Sequence, residues 1–123
     1  MATITEDYVS FETAKLLNEK GFSGECNKVA HQDTKNEYYF GNYSDDLKGR
    51  LLPVPTIQMA MRWLREVHHI HIRLLNSSDE SYRYEIYPMK GKYRNKCFAD
   101  NRYYDCYEQA CEAACIHALK NLI

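Results

Sequence analysis

Apolar and polar positions change period along this chain, and the changes mark its elements. Phe11, Ala14 and Leu17 recur at helical spacing. Ser10 stands where a cap accepts a hydrogen bond from the first free amides, with Val9 before it to pack on Ala14. Gly21 follows Lys20, can close a helix in the left-handed conformation, and returns Phe22 to Leu17. The spacing predicts a helix over 11–20. The run KVAHQDTKNEYYF then offers two short extended stretches around a polar turn from Asp33 to Asn36, a hairpin, while GNYSDDLKGR reads as a loop. Pro53 and Pro55 hold the chain extended ahead of Thr56, a second cap. Beyond it Ile57, Ala60, Met61, Leu64 and Val67 or His68 form the strongest amphipathic helix, with Trp63 on its flank.

After that helix the period drops to two. Ile70, Ile72 and Leu74 point one way, and His69, His71 and Arg73 the other, as in a half-buried strand. A polar turn from Asn76 to Asp79 leads to Tyr82, Tyr84 and Ile86, which alternate with Arg83, Glu85 and Tyr87 in an antiparallel return. Gly91 marks another turn, so 93–99 is expected as a third strand. Asp105 and Glu108 form an Asp-x-x-Glu capping box for a last helix. Its expected buried stripe is Tyr107, Ala110, Cys111, Ala114, Ala118 and Leu122, with Ile116 off the stripe. This order predicts an α+β fold: a two-layer single domain over 1–123, with an antiparallel β-meander of three to five strands covered by about three helices.

Composition narrows the class. A chain of 123 residues, 45% hydrophobic, fits one core that needs no metal or disulfide staple. No apolar run approaches the ~18 residues of a membrane span, and MATITEDYVS lacks the basic and apolar parts of a secretion signal. A soluble, cytoplasmic protein with no membrane partner is expected, its five cysteines free thiols. The net charge of −1 conceals a division: residues 1–55 carry −3, 56–104 carry +4 and 105–123 carry −2. The basic middle can steer an anionic partner.

Within that middle, MKGKYRNKCFADNRYY sets Lys90, Lys92, Arg94, Lys96 and Arg102 among Tyr93, Phe98, Tyr103 and Tyr104. Cations for phosphates interleaved with rings for bases are what single-stranded nucleic acid requires. An edge strand guarded by lysines gives the same pattern. His69 and His71 have the spacing that lets two imidazoles share a metal ion, but a site needs three or four ligands and no second motif is present. They remain weak metal candidates, and no metal or other cofactor is expected. Cys111 and Cys115 read as buried apolar residues, and Cys97, beside Lys96 and near Arg94, as the thiol best placed for reactivity. No phosphate-binding glycine loop or nucleophile elbow occurs, so no catalytic residue and no enzyme activity are expected. Eleven tyrosines against four phenylalanines supply apolar area with a polar end, suited to protein interfaces. The expected function is a non-catalytic protein–protein interaction module, its partner another protein or a second copy. The alternative is nucleic-acid binding through 90–104.

Residues 56–123 resemble the double-stranded-RNA-binding domain in element order and in the spacing of Ala113, Ala114, Ala118 and Leu119 within EQACEAACIHAL. The resemblance implies that family's topology. Its closing helix opens with lysines that contact phosphates, where this chain has Glu108, Gln109 and Cys111 with Asp105 just before. Carboxylates there would repel a polyanion, so the family's function does not carry over. Across the whole chain, VSFETAKLLNEKGF, PTIQMAMRWLREVHHIHI and YYDCYEQACEAACIHALKNLI resemble short uncharacterised proteins of gut Bacteroidetes and their phages or integrated elements. That resemblance implies a bacterial or phage accessory protein and carries no activity.

Overall fold

The computed structural model describes residues 7–22, 28–39, 51–76 and 81–123. Helix α1 (Phe11–Glu19) begins as its sequence dictates, with the Thr13 N–H donating to Ser10 Oγ at 3.3 Å. It ends in a complete Schellman closure. The Gly21 N–H donates to the Asn18 carbonyl and the Phe22 N–H to that of Leu17, at 3.1 and 3.0 Å. Gly21 has φ +92° with nothing near where a Cβ would stand, so backbone conformation alone demands glycine there. Closure delivers Phe22 to the core, and its ring meets Trp63 edge-on at 5.6 Å.

The expected hairpin is present as β1 (Lys28–His31) and β2 (Glu37–Tyr39), paired antiparallel. His31 is buried at the turn, and its Nδ1 faces the Thr34 N–H at 3.1 Å. A further strand, β3 (Leu51–Pro53), lies on the other side of β1, giving the order β2-β1-β3. The proline-flanked stretch was expected only to be extended. It pairs because Leu52 fills the core opposite Ala30 while the Val54 N–H reaches the Lys28 carbonyl at 2.9 Å. The loop expected at 41–50 and the turn beyond Asn76 lie outside the described residues.

Helix α2 (Ile57–Val67) starts at Thr56, whose hydroxyl accepts from the Met59 N–H, and buries Ile57, Ala60 and Leu64. Strands β4 (Ile70–Asn76) and β5 (Tyr82–Pro88) pair antiparallel without a bulge, from Ile70 opposite Pro88 to Asn76 opposite Tyr82. The strands thus divide between two sheets. The expected third strand of the meander is corrected. Residues 92–95 form turns, with Gly91 and Asn95 in the left-handed region, and only Phe98 and Tyr104 make isolated bridges, to Ile86 and Tyr82. Asn101, also at positive φ, separates the two bridges.

Helix α3 (Tyr107–Asn121) is capped by the backbone of Cys106, with no side-chain bond, so the expected capping role of Asp105 is also corrected. The helix starts one residue later than that role requires, and the Cys106 thiol donates to Glu108 instead at 3.0 Å. The buried stripe is Ala110, Cys111, Ala114, Cys115, Ala118 and Leu119, broader than expected because α3 packs on α1, α2, β4 and β5. Tyr107 and Leu122 lie outside it. One apolar cluster joins Leu17, Leu52, Leu64, Ile86 and Leu119 from all three helices and both sheets. The architecture is α+β. Among the described residues no helix is long and apolar enough to cross a membrane.

Candidate functional site

Pairing of β4 with β5 gives their ribbon two unlike faces. Ile70, Ile72, Leu74, Tyr84 and Ile86 turn to the core, and His71, Arg73, Leu75, Arg83, Glu85 and Tyr87 turn outward. On the outer face His71 lies opposite Tyr87, and Arg73 opposite Glu85. The turn that follows β5 folds back toward this face. The Met89 N–H donates to the His69 carbonyl, and Arg94, Lys96 and Cys97 share with Tyr87 and Met89 the wall of a 300 Å³ cleft. The Glu85 carboxylate, which accepts from the Tyr87 hydroxyl at 2.8 Å, and then the Cys97 thiol push that hydroxyl up to about 12. Tyr87 therefore stays a neutral hydroxyl at the junction of ribbon and turn.

The result is a cationic surface. His71, Arg73, Arg83, Lys90, Lys92, Arg94 and Lys96 are all exposed. Among the described residues none of them enters a salt bridge. Arg73 and Arg83 were missed as site candidates, although the two-residue alternation had placed them on the polar face. What the sequence did not show is that the 90–96 segment reverses at the Pro88 end of the ribbon, where it shares a cleft wall with Tyr87 of the outer face.

The aromatic candidates have other positions. Tyr93 is half-buried edge-on against Phe98 at 5.5 Å, with the Lys92 ammonium over its ring. Tyr103 is 61% exposed. Tyr104 donates to Asp100 at 2.6 Å, and Arg102 lies over the Tyr104 ring. The structure thus splits the basic tyrosine segment. Lys90 to Lys96 crown the Pro88 end of β5, whereas Arg102, Tyr103 and Tyr104 lie at its Tyr82 end.

At that second end, Tyr84, Asp100, Tyr104 and His117 line a cleft of 310 Å³, with Ile116 and Lys120 at its wall. The Tyr84 hydroxyl is 2.9 Å from His117 Nδ1. Desolvation, reinforced by Asp100, raises the Tyr84 hydroxyl far above its ordinary range and brings that of Tyr104 to about 12. Burial alone would raise the Asp100 carboxyl, but Tyr104, the Arg102 amide, Tyr84 and the Arg102 charge together hold it below its ordinary value. Two neutral tyrosines and one carboxylate anchor the 98–104 segment on β5. Ile116, off the buried stripe, is accounted for as part of the cleft wall.

The histidines do not share a strand face. His69 has φ +56° and precedes β4, so the two-residue geometry expected with His71 is absent. Among the described residues no group of three or more His, Cys, Asp or Glu is placed to hold a metal ion. Cys97 is exposed, while Cys111 and Cys115 are buried, and desolvation pushes the Cys111 thiol up to about 11 and raises that of Cys115 as well. Compared with known proteins, the chain matches no family model, no curated protein and no solved structure.

Proposed function

We propose that this protein is a non-catalytic binding module that holds an acidic protein partner against the outer face of the β4–β5 ribbon and the adjoining turn. One observation carries the reading. Arg73 and Arg83 on the outer face of the ribbon, and Lys90, Lys92, Arg94 and Lys96 on the turn that follows its Pro88 end, are all exposed and without salt-bridge partners among the described residues. Exposed cations on the ribbon and its adjoining turn raise the local concentration of an anionic partner and speed its docking. Among the described residues Glu85, engaged by Tyr87, is the single acid on that face of the ribbon. An accessory protein of bacteria or their phages, which the whole-chain resemblance implies, is a reasonable setting for such a module.

Anisotropy titration at low salt with labelled polyglutamate tests this reading. The expected result is saturable binding that weakens with added salt and is lost in an Arg73→Glu, Arg83→Glu double variant. Both positions are exposed, so the fold should survive the change. Binding that is absent at low salt, or undiminished by charge reversal, would overturn the reading.

The same cations favour a second reading, nucleic acid held through its phosphates at the 90–96 turn. Its weakness lies in the rings. Tyr93 and Phe98 pack on each other and Tyr104 is tied to Asp100, leaving Tyr103 as the well-exposed platform of this segment for a base. A labelled single strand that binds more tightly than polyglutamate, and is released by joint Lys90, Lys92, Arg94 and Lys96→Ala changes, would make this the better reading.

A further inference from the structure

The two long edges of the β4–β5 ribbon differ. Ile86 exchanges both backbone hydrogen bonds with Phe98, at 2.8 and 2.9 Å, and Tyr82 exchanges both with Tyr104, at 2.8 and 2.7 Å. The outer edge of β5 is therefore occupied at both bridges. These bonds also fix the phase of the ladder. Because Ile86 turns its amide and carbonyl away from β4, its partner Ile72 turns its own away from β5. By alternation Ile70, Leu74 and Asn76 do the same. Among the described residues no backbone group bonds to this second edge of β4.

Such an edge is ordinarily blunted by lysine, proline or a bulge. β4 has none of these: it reads Ile-His-Ile-Arg-Leu-Leu-Asn, and its pairing with β5 is continuous. The two faces beside the edge have opposite character. His71 and Arg73 stand exposed on one, while Ile72 and Leu74 are half-buried against the core on the other. We propose that the open edge of β4 binds an extended segment of an acidic protein by antiparallel strand addition, with carboxylates alternating with apolar residues along the segment. This rests on the binding-module reading and names its docking line. Backbone bonds from Ile72, Leu74 and Asn76 would supply affinity, and the alternation would supply specificity. Carboxylates would face His71 and Arg73 while apolar side chains extend the surface of Ile72 and Leu74. A second copy fits poorly. Antiparallel pairing of β4 with itself over all seven residues places Arg73 opposite its own counterpart.

The geometry makes a selective demand on such a segment. Residues opposite Ile72 and Leu74 both turn their amides toward β4 and carry the apolar side chains. A short labelled peptide alternating glutamate and valine should therefore bind the intact protein, and N-methylation of its valines should weaken it about tenfold or more by removing edge hydrogen bonds. N-methylation of its glutamates should leave affinity nearly unchanged. Hydrogen exchange at Ile72, Leu74 and Asn76 should slow in the complex. Binding that ignores both methylation patterns and protects none of these amides would overturn strand addition while leaving charge-driven docking intact. No binding of either this peptide or polyglutamate at low salt would remove both. A peptide-free dimer protected at these same amides would identify the occupant as a second copy and overturn the acidic-segment assignment.

Discussion

Helices α1 and α3 are secured in opposite ways, and the difference shows where this fold keeps its stability. The nine residues of α1 have both ends closed, by Ser10 at the start and Gly21 with Phe22 at the finish. The fifteen residues of α3 begin at Cys106 without a side-chain cap but bury six residues completely, from Ala110 to Leu119. A short helix has few lateral contacts to offset the entropy of ordering it, so its termini matter. A long one packed against two other helices and two strands can leave an end unsecured. The two are also joined. Glu112 of α3 accepts from the Ser10 N–H at 2.8 Å and from the fully buried Thr13 hydroxyl at 2.7 Å. The longer helix thereby supplies part of the cap of the shorter.

The sharpest test of this contrast lies in α3. Leu119→Ala removes a fully buried side chain from the cluster shared by all the helices and should cost about 2–5 kcal/mol. Urea unfolding would read that loss, and a cost below about 1 kcal/mol would show that α3 does not rest on its lateral packing. Next in size is the link between the helices. Glu112→Ala leaves the buried Thr13 hydroxyl with the Ser10 hydroxyl, 3.1 Å away, and takes the acceptor from the Ser10 N–H, and should cost about 1–3 kcal/mol. Combined with Thr13→Val, the two effects should fall short of additivity by more than about 0.5 kcal/mol, because both delete one contact. Strict additivity would mean that Glu112 acts elsewhere.

Smaller effects distinguish the caps themselves. Ser10→Ala should cost about 1 kcal/mol, since it removes the acceptor for the Thr13 amide. Asp105→Ala should stay within about 0.5 kcal/mol, since Asp105 is exposed and lies outside the cap of α3. Equal costs in thermal unfolding would erase the difference between the two helix starts.

The same contrast explains what could be read in advance. Both ends of α1 are written in adjacent residues, and the alternation over 70–74 and 82–87 determines which side chains face the core. Glu112 reaches Ser10 across a separation of 102 residues, which no local pattern reveals. β3 escaped notice because its three residues carry no period and end in proline. The third strand was expected because Gly91 marks a turn, but with Gly91 and Asn95 both left-handed the chain turns again over 92–95 before any strand can run. For the candidate site, the chemistry of each cation was legible. The cleft that the 90–96 turn forms with Tyr87 depends on that reversal and was not.

Helix α2 stands between the two extremes and gives the mildest test, one of pH. Thr56 caps its start, but it ends at His68, whose Nε2 is buried with no hydrogen-bond partner among the described residues and whose ring meets Trp63 edge-on at 4.5 Å. Desolvation first, and then the neighbouring charge of His69, lower the His68 pKa from its ordinary 6.5. The unfolded chain therefore takes up a proton near pH 6.5 while the folded one resists it, so below that pH the unfolded state binds more protons. Stability contributed by neutral His68 is present above about pH 6.5 and declines as pH falls toward the folded value. In His68→Phe the ring keeps its contact with Trp63 and carries no proton. Between pH 7.5 and pH 5 the urea midpoint of the natural protein should drop further than that of the variant, and the two curves should run parallel above pH 7.5. Parallel curves throughout would show that the end of α2, like the start of α3, tolerates an unsatisfied group at no cost in acid.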